Sequence, residues 1–281
     1  MNGGTYGLMV LSAITHAYWN FLLKRSGGSP AVIGLSKIAE AIILGPLLFT
    51  GIGTDPTRLT ELWRLPVVGA ALVFLNYVFL TAAYRRGELS LVYPISRGAI
   101  LMFLPPLALL TIGETITALG WVAIGLIVIG IGSVQVPGAI RGTATIYALV
   151  AAFTAACYTI WDKQAVQALT PLTYFSAYTV LVGFAYLFIL VRTTSMDSAL
   201  AVWRLERGVI VQVAILNIGS YMLTLMALRS GHASYVIALR QLSIAVGAIL
   251  GWRLLGEALS PMRQLGVGLV VAGCVLLALV R

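Results

Sequence analysis

Charge is what this chain lacks most. Only 10% of its 281 residues are Asp, Glu, Lys or Arg, while 60% are hydrophobic and mean hydropathy is +0.98. A soluble domain carries about 25% charged residues. So few charges leave no means of covering a water-facing surface, and the chain reads as an integral membrane protein. Acidic residues are the scarcest, nine against 18 Lys plus Arg, giving a net charge of +9. The basic residues stand singly or in pairs between apolar runs, as loop anchors do. They form no patch with interleaved aromatics, which argues against nucleic acid as a partner. The two cysteines, Cys157 and Cys274, both lie inside apolar runs. That excludes a disulfide framework and suggests no metal site. The two histidines, His16 and His232, fit no zincin spacing, and a Gly-x-Ser-x-Gly elbow is missing. An intramembrane enzyme therefore has no candidate machinery, and no cofactor is expected. Met1 to Tyr6 holds no Lys or Arg, hence no n-region of a cleavable signal. The first span is expected to stay in the mature protein. Short polar/apolar alternation, the mark of a membrane barrel, is missing too. The apolar runs are near 20 residues and apolar all round, so the spans read as helices.

What is present is a stretch that occurs twice. Ala83, Arg85, Gly87, Ser90 and Val92 return as Ala227, Arg229, Gly231, Ser234 and Val236, 144 positions later. After the loss of one residue the offset is 143: Arg97 matches Arg240, Gly113-Glu114 matches Gly256-Glu257, and Gly125 and Gly130 match Gly268 and Gly273. Upstream, Ala13, Thr15, Ala17 and Lys24 have counterparts 139 positions on at Ala152, Thr154, Ala156 and Lys163. An Arg and a Gly-Glu pair recurring in one register point to a duplication, in two halves at 1–140 and 141–281.

Span length and Pro or Ser/Thr starts predict ten membrane helices. They fall at 5–23, 31–52, 66–84, 89–112, 117–136, 143–161, 171–191, 207–228, 233–254 and 262–280. Pro30, Pro66, Pro171 and Pro261 stand at span starts, where a missing N–H costs least. The longest connections are Gly53–Leu65 and Arg192–Glu206, at the same place in each half. Five spans per half is odd, so the halves start on opposite sides of the membrane. The expected fold is an all-α membrane protein of ten transmembrane helices, as two inverted five-helix repeats around a central cavity. That arrangement is characteristic of secondary transporters.

The five-plus-five duplication, the Gly-Glu turns at 113–114 and 256–257, the Gly-rich fifth and tenth spans, and Lys24 and Lys163 closing a span in each half carry a resemblance. The chain resembles the drug/metabolite transporter superfamily, in its branch of ten-helix EamA-type exporters, over the full length. Among those, it is most similar to the aromatic amino-acid exporters. The resemblance implies a monomer in the inner membrane, both termini inside, exporting small amphipathic metabolites by alternating access, with the bilayer and a small-molecule substrate as partners. The positive-inside count runs the other way, ten Lys and Arg to five in favour of an outside N-terminus. We follow the resemblance.

Polar residues inside spans are the candidates for function, since they are expensive there. His16, Trp19 and Asn20 share one face of the first span, and Tyr158 and Thr159 occupy the matching face of the sixth. Either they line a cavity, or Trp19 sits in the interfacial aromatic belt and His16 is satisfied by a neighbouring helix. Arg97 and Arg240 lie some 12 Å inside the fourth and ninth spans at 1.5 Å per residue. Each either attracts a substrate carboxylate or forms a structural pair. Tyr77 and Tyr221 match at offset 144, with Asn76, Asn217, Tyr93 and Ser96 near them as further linings. Lys37 and Glu40, three apart, are expected to form an intrahelical structural pair. Gly247-x-x-x-Gly251 and the glycines of the fifth and tenth spans are expected to allow close helix approach. In the small multidrug pumps that the resemblance implies as relatives, a proton-coupled Glu stands eight residues before the Lys. Here His16 stands there, which leaves proton coupling through a titrating His and plain facilitated transport both open. The alternatives are an exporter of drugs or other metabolites in the same fold, and, from other classes, an intramembrane enzyme, a channel or a scaffold.

Overall fold

Helix starts follow local chemistry. Pro30, Pro56, Pro171 and Pro261 each open a helix, and the side chains of Asp55, Thr170, Ser195 and Ser260 cap the first turns they precede. The computed structural model describes residues 3–26, 29–86, 89–133, 142–256 and 260–280, with backbone alone at 89–91, 93, 94 and 255. Its helices are α1 (Gly3–Arg25), α2 (Pro30–Leu44, running on as a 3-10 turn to Phe49), α3 (Pro56–Glu61), α4 (Arg64–Tyr84), α5 (Leu89–Gly98), α6 (Ile100–Ile112), α7 (Ala118–Ser133), α8 (Thr143–Ala168), α9 (Pro171–Thr193), α10 (Met196–Ser230), α11 (Ala233–Arg240), α12 (Leu242–Leu255) and α13 (Pro261–Ala278). The described residues contain no strand.

Among the described residues, eight segments are long and apolar enough to cross a membrane. α5–α6 form one of them and α11–α12 another. α1 and α7 occupy the places of the first and fifth predicted spans without meeting that measure, α7 because it has 16 described residues. Large apolar side chains such as Phe49 and Leu110 are more than 80% exposed, as residues bathed in lipid are.

Two expectations need correction. Arg192–Glu206 is no loop: only Thr194 and Ser195 separate α9 from α10. Ser195 accepts a bond from Ser198 N, Asp197 sits in the positive first turn, and the helix runs 35 residues. At 1.5 Å per residue that is about 52 Å, far more than a 30 Å hydrocarbon core needs. Arg204, Glu206 and Arg207 end the apolar stretch without ending the helix. A Cβ on Gly247 would meet nothing within 4 Å among the described residues, so none of the described helices approaches there.

The fourth and ninth segments are each interrupted for one residue, at Ala99 and at Gln241, just past Arg97 and Arg240. There the ladder tightens to i→i+3 bonds, Met102 N to Ala99 O and Ile244 N to Gln241 O. Segment packing has a pattern of its own. α1 lies on α10 and α4 on α8, while α2 pairs with α9 and α7 with α13. Exchanging the first five segments with the last five maps this set of pairs onto itself. Single contacts obey the same exchange. Asn76 donates to Ala151 O at 2.6 Å, and Ser220 donates to Ser12 O at 3.0 Å, both residues of each pair being repeat equivalents. A Cβ on Gly130 would collide with Gly266 O and Val270 N, and one on Gly273 with Ala123 O and Ile127 N, again equivalents. The Gly-Glu turns need their glycine because the chain passes through the left-handed region, at φ 64° for Gly113 and 68° for Gly256. Glu257 lies outside the described residues.

Candidate functional site

Arg240 ends α11, where the break in the ninth segment leaves its side chain turned inward and 9% exposed. Nη2 stands 3.2 Å from His16 Nδ1 on α1, and the guanidinium lies over the Tyr221 ring of α10, 5.2 Å from the centroid. Arg has only donors, so His16 Nδ1 is the acceptor and its ring proton sits on Nε2. Trp19, nearly one turn further along α1, meets His16 edge to face at 5.1 Å. Trp19 Nε1 and Arg240 Nε are both buried N–H donors without a hydrogen-bond partner among the described residues. The repeat-equivalent Arg97 comes from α5 in the other half. Arg97 and Arg240 both act electrostatically on His16 and on Tyr158.

On the far side of Tyr221 lies a group that the sequence reading missed. The Tyr221 hydroxyl donates to Asp162 Oδ2, and the Tyr174 hydroxyl donates to Oδ1 at 2.5 Å. Asp162 is fully buried. Neither Asp162 nor Arg240 has an ion-pair partner among the described residues. Tyr178 packs against both tyrosines, at 5.5 Å from Tyr174 and 6.1 Å from Tyr221. A continuous row of contacts thus runs Asp162, Tyr221, Arg240, His16, Trp19, drawn from α8, α10, α11 and α1. The expected span end at 161 hid Asp162, since the helix in fact continues to Ala168. One signal was there to find it. Tyr158 and Asp162 are four apart and therefore share a helix face.

A second cluster adjoins the first. Lys37 donates to both Glu40 oxygens at 2.9 and 3.1 Å, the pair expected, and Asn217 donates to the same carboxylate at 3.0 Å. Tyr77 meets Tyr186 edge to face at 6.0 Å. Tyr178 lies within electrostatic reach of both Asp162 and Glu40 and so joins the clusters.

The remaining candidates divide. Asn20 bonds the His16 carbonyl of its own helix, and Thr159 the Ala155 carbonyl of its own. Asn76 ties α4 to α8. Ser96 is buried, and the side chain of Tyr93 lies outside the described residues. Near one end of the bundle, a cleft of about 370 Å³ is lined among others by Glu114, Lys163, Gln167 and His232. Here Glu114 accepts from Ala233 N at 2.7 Å and Ser234 N at 2.9 Å, capping α11. Lys163 donates to the Leu228 and Gly231 carbonyls at the end of α10. The corner that leads into Arg240 is therefore gripped from both sides.

Comparison with known proteins agrees with this architecture. A solved crystal structure, described only as that of a protein, matches with a TM-score of 0.79 over 99% of this chain and 98% of its own. Identity is 12%, so the likeness concerns the fold alone. No curated protein matches the chain. Residues 142–279, which hold Asp162, Tyr174, Tyr221 and Arg240, match the EamA-like transporter family.

Proposed function

We propose that the chain is a multi-pass membrane transporter of small molecules, and that its substrate is an amphipathic metabolite with a carboxylate, aromatic amino acids among them. The observation that carries this reading is the pair of buried N–H donors without partners, Trp19 Nε1 and Arg240 Nε, on the two residues that flank His16. Buried donors are nearly always satisfied, and a carboxylate brings acceptors for both. The aromatic faces of Trp19, Tyr158 and Tyr221 supply an apolar wall for the rest of such a molecule. We further propose that residues 1–140 and 141–281 are inverted halves that rock about this site. The exchange-symmetric helix pairs and the broken fourth and ninth segments support that view. The inner membrane and the outward direction come from the resemblance to ten-helix exporters.

Proteoliposomes test the proposal. Purified protein should give saturable counterflow of labelled phenylalanine, competed by other aromatic carboxylates. Uptake that neither saturates nor shows counterflow would indicate a channel or a scaffold instead.

A further inference from the structure

Asp162 has no role in the reading above, yet it is a costly residue to keep. It is fully buried in a membrane helix, without an ion-pair partner among the described residues, and two hydroxyls occupy its oxygens. If it served only to tie α8 to α9 and α10, a neutral Asn or Gln would serve at lower cost. The groups that face it are few. They are Tyr174 and Tyr178 from α9, Tyr221 from α10, Arg240 from α11, and Tyr158 on its own helix. From α4 and α5, which also pack on α8, Tyr77 and Arg97 lie within electrostatic reach of Tyr158. α6 carries no titratable residue. The neighbouring Lys163 turns away to the end of α10.

Tyr221 stands between opposite charges. Its hydroxyl holds Asp162 and its ring faces the Arg240 guanidinium. An ionised Asp162 therefore offsets the charge of Arg240 across a single ring. Once Asp162 takes a proton, that offset is gone. Arg240, with an unpartnered Nε donor, then favours an anion more strongly. We propose that Asp162 is a proton-binding site linked to carboxylate binding at Arg240, so that proton and anion are taken up together. The inference rests on the transporter reading of the same cluster. The proton leaves a hydronium ion of the solvent, so one O–H bond breaks there and one forms on Asp162; Tyr221 keeps its own proton, and no other bond forms or breaks. Linkage is reciprocal: carboxylate binding draws the proton in by the same factor. It fixes no direction of transport.

The test uses purified full-length protein in detergent with benzoate as the probe and benzyl alcohol as the neutral control. Benzoate binding should be accompanied by proton uptake, read by calorimetry in two buffers of different ionisation enthalpy. Its affinity should fall by up to about tenfold per pH unit on the alkaline side of the transition, as one linked proton requires. Benzyl alcohol should show neither effect. Asp162→Asn should abolish proton uptake and flatten the profile, together with an infrared carboxylic-acid band present in the wild type. Tyr221→Phe should move the midpoint of the profile, whereas a merely structural role would weaken binding equally at every pH. Proton uptake that persists in Asp162→Asn overturns the proposal. So does benzoate binding without proton uptake in the wild type, or no benzoate binding at any pH. If Asp162→Asn does not fold, an unmoved profile in Tyr221→Phe overturns it. Benzoate counterflow in liposomes separates the two readings. Linked binding without counterflow keeps the proton site and sinks the transporter, and counterflow without linkage does the reverse.

Discussion

At Arg240 one side chain does two jobs. It donates to His16 with one nitrogen and sets its guanidinium over the Tyr221 ring. A lysine keeps the charge but offers a point ammonium instead of a fork. Arg240→Lys should therefore lower the rate of counterflow at least about tenfold, since the ammonium loses one of two contacts. Protein level and fluorescence-detected elution should stay as in the wild type. Unchanged counterflow would show that shape does not matter at this position. Trp19 and Tyr158 test the apolar wall. An aromatic pair is worth roughly 0.5–1.5 kcal/mol beyond its buried area. Trp19→Ala or Tyr158→Ala should accordingly raise the half-saturating substrate concentration by up to about tenfold, and an unaltered value in both would remove them from the site.

The elements are held together by contacts that tolerate little. α7 and α13 cross where Gly130 and Gly273 each face the other helix's backbone. Helices in lipid associate through such close packing because no hydrophobic drive separates them from their solvent. Gly130→Ala and Gly273→Ala should each destabilise the protein by about 1–3 kcal/mol, the usual cost of overpacking. Gly125→Ala and Gly132→Ala are the controls, because a Cβ there meets nothing within 4 Å and stability should hold. Thermal unfolding in detergent reads all four, and equal effects would refute the packing account. Glu114 is a second such contact, spending both carboxylate oxygens on the first N–H groups of α11. Its removal as Glu114→Ala should cost about 1 kcal/mol, the worth of an N-terminal cap. It should also loosen the corner that positions Arg240, raising hydrogen exchange at Ala233 and Ser234.

For the molecule as a whole, the pairing of α1 with α10 and of α4 with α8 ties the first five segments to the last five. If the halves are inverted repeats, the first five segments superpose on the last five by a rotation of about 180° in the membrane plane. An experimental structure in which they superpose about the membrane normal would sink the rocking mechanism. Arg97 and Arg240 then exchange environments as the protein rocks. Arg97→Ala and Arg240→Ala should bias the site toward opposite faces, measured by side-specific labelling of a cysteine introduced at Tyr158. Identical labelling in both variants and in the parent would leave these arginines structural.

Composition and periodicity alone determined that this is a helical membrane protein. So few charged residues permit no other surface, and runs of about 20 apolar residues permit no barrel. The repeat in the sequence marked Arg97 and Arg240, the glycines at 130 and 273, and the Gly-Glu turns, because these rest on one residue type at a fixed offset. Helix length was not legible for α10, since hydropathy reports on lipid contact while helix formation depends on caps and backbone bonds that continue into water. Asp162 was only faintly legible, through its place four residues after Tyr158 on one helix face. Its standing as a buried acid depends on two hydroxyls 12 and 59 residues away. Contacts at that separation leave no pattern in neighbouring residues, so tertiary packing brought Asp162 into the candidate site.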